Sequence, residues 1–75
     1  MIKIEKNGNS VIITQGDVKQ AFPLNTLIAH YSNDSDTIEL RYKGSRKNVL
    51  SALYTEFNQG STKEKTLANI NNLIN

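Results

Sequence analysis

The sequence predicts an α+β domain in which an antiparallel β-meander of four to five strands, residues 1–43, precedes a helical hairpin, residues 45–75, packed on one sheet face. Through the first half, apolar and polar residues alternate with period two, the repeat of a half-buried strand. Turn-forming residues punctuate that alternation at Asn7-Gly8, Gly16-Asp17 and Asn33-Asp34-Ser35-Asp36. After Gly44 the apolar spacing lengthens to that of a helix.

The first hairpin is read from Ile2 and Ile4, then Asn7-Gly8, then Val11-Ile12-Ile13. Asn-Gly between such runs suits a type I′ turn, whose two central residues both need positive φ. That turn sets Ile4 opposite Val11 and Ile2 opposite Ile13, with all four on one face. Gly16-Asp17 is the next turn, and Val18 and Phe22 beyond it rejoin the same face. Pro23 has no N–H to donate, so it ends that strand or marks a sheet edge. Leu27, Ala29 and Tyr31 alternate into the loop 33–36, and Ile38, Leu40 and Tyr42 alternate out of it. A four-residue loop then pairs Tyr31 with Ile38, Ala29 with Leu40 and Leu27 with Tyr42.

Beyond Gly44, residues Val49, Leu50, Leu53, Tyr54 and Phe57 fall on one helical stripe, which predicts a helix over 46–57 with Ser45 as its N-cap and Gly60 at its C′ position. Ser61-Thr62-Lys63-Glu64 matches a capping box for a second helix over 62–74. Across the two helices Val49, Leu53, Phe57, Leu67 and Ile70 are the expected buried positions, and Leu73 the expected exposed apolar one. Four asparagines between 69 and 75 make the tail a poor helix by itself, so Leu67, Ile70 and Ile74 must dock to hold it.

A chain of 75 residues supports one domain with one modest core. With no cysteine, disulfides, thiolate metal sites and a cysteine nucleophile are excluded. Charges interrupt Met1-Ile2-Lys3-Ile4-Glu5, unlike a signal peptide, and no apolar run reaches membrane-spanning length. A location that is neither secreted nor in a membrane is therefore expected. A net charge of +2 does not by itself identify a nucleic-acid binder.

Chemistry-bearing constellations are sparse. His30 is the single histidine, with Ser10, Ser32, Asp34 and Asp36 as conceivable triad partners, but no nucleophile-elbow pattern surrounds any of these serines. Asp34 and Asp36 open like a calcium loop, yet Glu39 stands where the glycine belongs and Ser45 where the glutamate belongs. No cofactor, metal or small-molecule substrate is expected, and no enzymatic activity. The strongest local feature is the basic run Arg41, Lys43, Arg46 and Lys47. With Arg46 and Lys47 in a first helical turn, which disfavours cations, the cluster becomes a candidate for an anion or an acidic partner surface. Leu73 and Ile74 are candidate interface residues.

The layout also carries a resemblance. An N-terminal Asn-Gly hairpin, Pro23-Leu24-Asn25-Thr26-Leu27, an acidic turn, Ile38-x-Leu40-x-Tyr42, a Ser45-led helix ending in Tyr54-x-x-Phe57 and a Ser/Thr-led closing helix look like the small proteins of tailed phages of Bacteroidota, including crAss-like phages. That resemblance implies a virion-associated or accessory role, located in a virion or the host cytoplasm, and assigns no residue. The leading expectation is a non-enzymatic protein–protein interaction module, with a protein partner or self-association. A nucleic-acid-binding or charge-bridging protein and a soluble inhibitor of a host or bacterial defence protein are the alternatives.

Overall fold

The computed structural model describes residues 1–57, 59–60 and 62–75. Among them, strands β1 (Ile2–Asn7), β2 (Ser10–Gln15) and β3 (Val18–Pro23) form one antiparallel sheet in that order. Strands β4 (Leu27–Ser32), β5 (Thr37–Tyr42) and β6 (Asn48–Leu53) form a second. A single 3₁₀ turn, Tyr54–Glu56, and helix α1 (Lys63–Ile74) complete the chain. The α+β class is as expected. The strand count is six where four to five were expected, and one helix stands where two were expected.

In the first hairpin the expected register is wrong. Ile4 faces Ile13 and Ile2 faces Gln15, and the two-residue loop is Gly8-Asn9. Gly8 alone has positive φ, at 61°, which is the glycine position of a type II′ turn and rules out type I′. Gly16-Asp17 repeats the arrangement, with Gly16 also at 61°. The shift is by two residues, and period two explains why the face is nevertheless right. A two-residue slip leaves every side chain on its original side, so Ile2, Ile4, Val11 and Ile13 are all still buried. Turn chemistry settles the register, because the observed loop asks for positive φ only at the glycine. Val18 and Phe22 do share that face, though Val18 at the far end is 58% exposed.

In the second sheet the β4–β5 register is the expected one, with Leu27 opposite Tyr42, Ala29 opposite Leu40 and Tyr31 opposite Ile38. The helix expected over 46–57 is instead strand β6 followed by the 3₁₀ turn. Leu50 and Ala52 face Leu40 and Ile38 across the sheet, and a bulge leaves Val49 unmatched between the pairs Leu40–Leu50 and Arg41–Asn48. The bulge disguises the period: apolar residues at 49, 50 and 52 imitate a helical stripe while belonging to a strand. Pairing with β6 also gives β5 a neighbour on both sides, so its backbone groups are satisfied. Ser45 is accordingly no helix cap; its hydroxyl accepts from the Lys47 N–H at 3.1 Å within the β5–β6 loop. Leu53, expected in the core, is 49% exposed, and Val49 is half-buried.

Helix α1 forms as expected, but its cap is Thr62, whose hydroxyl accepts from the Lys65 N–H at 3.1 Å. The expected capping box opened one residue earlier, at Ser61, which lies outside the described residues. The helix packs on β4 and β1, so it bridges the two sheets. Ile70 and Ile74 join Phe57 and the inner faces of both sheets in one core. Ile74 is fully buried and therefore unavailable as an interface residue, and Leu73 is half-buried against the core. Gly60 serves the close approach of the chain to α1, in place of the expected C′ role. A Cβ on it would lie 3.0 Å from the Thr66 nitrogen. Gly60→Ala is expected to cost about 1–3 kcal/mol by overpacking, read as a lowered denaturation midpoint.

Candidate interaction site

Two three-stranded sheets have four outer edges, and the alternation of backbone direction shows what each offers. Along β4, the bond from the Lys43 N–H to the Thr26 carbonyl sets the phase that turns Ala29 outward. There the Asn71 side chain meets it, accepting from the Ala29 N–H at 3.1 Å and donating to the Ala29 carbonyl at 3.3 Å. Along β1, Ile2 forms a parallel bridge with Phe57, and the Gln59 amide reaches the Ile4 carbonyl at 3.5 Å. The C-terminal segment thus covers the edges of β4 and β1.

The edges of β3 and β6 are different. The Leu24 N–H bonds to the Asn9 carbonyl at 2.9 Å, which fixes the β2–β3 phase and turns the N–H and C=O of Lys19 and Ala21 away from β2. Pro23 falls in the same outward phase, so its missing N–H costs the sheet nothing, as expected for an edge proline. On β6 the bond from the Tyr54 N–H to the Asp36 carbonyl, 2.9 Å, likewise leaves Ser51 and Leu53 facing outward. Between these two open edges lies a groove of about 650 Å³, lined by Gln20, Ala21 and Phe22 from β3, Asn48 and Val49 from β6, and Tyr42, Ser45 and Lys47. Phe22 and Tyr42 meet edge-to-face at 6.0 Å between centroids, joining the two sheets where the groove opens.

The basic cluster is divided by this architecture. Arg41 lies on β5, half-buried, with its guanidinium 3.1 Å from the Glu39 carboxylate and its Nε buried and unpartnered among the described residues. It is engaged by its own strand. Lys43, Arg46 and Lys47 are exposed on the β5–β6 loop, and Lys47 lines the groove. No helix begins there, so the expected tension between these cations and a helix dipole does not exist. The anion-binding N–H groups that a helix start would supply are absent with it.

The remaining sequence candidates fall apart from the groove. His30 is exposed on the outer face of β4, opposite Glu39. Asp36 adopts a positive φ of 54° and accepts a hydrogen bond from the Tyr31 hydroxyl, a turn role of the kind expected for this loop. That bond raises the Tyr31 pKa above its ordinary value, with Lys63, 5.2 Å above the ring, opposing it. The Tyr31–Asp36 bond therefore persists at neutral pH and weakens only as pH rises past the usual tyrosine range. Among the described residues no three carboxylate or imidazole groups gather to hold a metal.

Gln20, Ala21, Phe22, Tyr42, Asn48 and Val49 form most of the groove, and the sequence marks none of them as a site residue, reading Phe22, Tyr42 and Val49 only as parts of apolar faces. The signal that finds them is Pro23 read as an edge marker together with a strand, not a helix, over 48–53. No protein family, curated protein or solved structure matches the chain.

Proposed function

We propose that the chain is a non-enzymatic protein–protein interaction module, set in a small virion-associated or accessory protein of a tailed phage. The module reading is carried by one observation: two strand edges that are unpaired among the described residues flank one groove, while the other two edges are covered from within the chain. Unpaired edges are templates for a further strand, and proteins that do not use them usually blunt them. The phage setting rests on the layout of the chain alone, and strand β6 removes the Ser45-led helix from that layout.

A second reading, nucleic-acid binding, is favoured by the exposure of Lys43, Arg46 and Lys47 on one loop. Titration with plain duplex DNA at about 150 mM salt separates the two. No saturable binding is expected. Tight binding that disappears in the Arg46→Glu, Lys47→Glu double variant would give the nucleic-acid reading precedence. The same variant is expected to change folding stability by no more than about 0.5 kcal/mol, since both side chains are solvated loop cations.

A further inference from the structure

We infer that the groove binds an extended acidic peptide segment of a partner, which adds as a strand to the free edge of β3. The inference rests on the module reading above and specifies its partner. Three observations select this occupant. The backbone N–H and C=O of Lys19 and Ala21 point out of the sheet, and no bond outside the sheet reaches them among the described residues. Strand addition needs two such residues spaced by one, because alternate residues of an edge present their backbone to the newcomer. Next, the groove beside that edge is floored by the Phe22–Tyr42 pair and walled by Val49, so alternate side chains of the incoming strand meet apolar surface. Finally, the rim is cationic. Lys47 is in the lining, Lys43 and Arg46 adjoin lining residues on the same loop, and none of the eight lining residues is acidic.

That charge distribution argues against a second copy of this chain as the occupant. Seating a second copy on this edge would bring two cationic rims together, and the chain is net positive. It equally disfavours a basic peptide. An acidic segment of alternating charged and β-branched residues satisfies the edge, the apolar floor and the rim together.

The test uses a blocked heptapeptide of alternating Glu and Val, a Lys-for-Glu counterpart, and amide chemical shifts of the full 75-residue chain. The Glu peptide should perturb Lys19, Ala21 and Asn48 in a saturable manner at low salt, and the Lys peptide should not. Ala21→Pro removes the outward N–H without removing a bond to β2, and Pro23 shows that this phase of the edge accommodates proline. It should weaken binding at least about tenfold, the equivalent of about 1.4 kcal/mol, while the dispersed amide spectrum shows the fold intact. Lys47→Glu should weaken it as well. Equal binding by Ala21→Pro overturns strand addition. Saturable shifts confined to the outer face around Ile28, His30 and Leu53 overturn the groove as the site but leave the module reading standing. Concentration-dependent dimerisation abolished by Ala21→Pro overturns the acidic occupant in favour of a second copy. No perturbation by either peptide at millimolar concentration, with mass constant at that of a monomer, overturns both readings.

Discussion

Replacing Phe57 with alanine is expected to cost about 3–5 kcal/mol of folding stability, while Leu53→Ala should change it by no more than about 0.5 kcal/mol. Both residues belong to one apparent helical stripe, and the structure sends them to opposite environments. Phe57 is 2% exposed, bridges Ile2 through its backbone and sits in the core with Ile70 and Ile74. Leu53 is 49% exposed at the end of the open β6 edge. A chain of 75 residues commonly has a total stability of about 4–11 kcal/mol. The Phe57 change therefore removes a large share of it, and at the lower end leaves a substantial unfolded fraction. Denaturant unfolding of the two variants checks the contrast. A Leu53→Ala cost above about 2 kcal/mol, alongside the large Phe57→Ala cost, would return the stripe to a buried helix and remove β6.

The contrast also shows which parts of the fold are legible in the residues. Alternation over Leu27–Tyr31 and Ile38–Tyr42 has one loop length that pairs apolar with apolar, and the structure adopts that pairing. In the first hairpin two registers put the same four residues on the same face, so hydrophobic pattern alone cannot separate them. The φ demand at Gly8 does. Over 48–57 the pattern misleads, because a bulge at Val49 inserts one residue into a period-two sequence and mimics the helical spacing. The helix over Lys63–Ile74 is legible from its stripe, whereas the choice of Thr62 as cap is a matter of one residue within an Ser-Thr pair. The groove was not legible at all. It depends on which strands end up at edges, a property of the sheet order and not of any local segment.

The same logic of edges leads to the second large effect. Asn71 is one of the asparagines that make α1 a poor helix by composition, and replacing it with alanine should raise intrinsic helix propensity by about 0.5–0.7 kcal/mol. The structure opposes that gain. The Asn71 amide fills both backbone positions of Ala29 on the β4 edge, accepting from its N–H and donating to its carbonyl in a part-buried setting. Leaving those groups unpaired costs about 1–3 kcal/mol, so Asn71→Ala should be destabilising on balance, by about 0.5–2 kcal/mol. Hydrogen exchange at the Ala29 amide should quicken in step. Asn71→Asp sharpens the test, since an ionised carboxylate can still accept from the Ala29 N–H but cannot donate to the carbonyl, which it instead repels. It also places a negative charge near the C-terminal end of a helix. At neutral pH it should be less stable than Asn71→Ala. Protonation restores a donor, so folding raises the pKa of the introduced carboxyl, and its deficit should shrink as pH falls through that titration. A stabilised Asn71→Ala variant with unchanged Ala29 exchange would mean that helix propensity wins and the β4 edge is satisfied without this side chain.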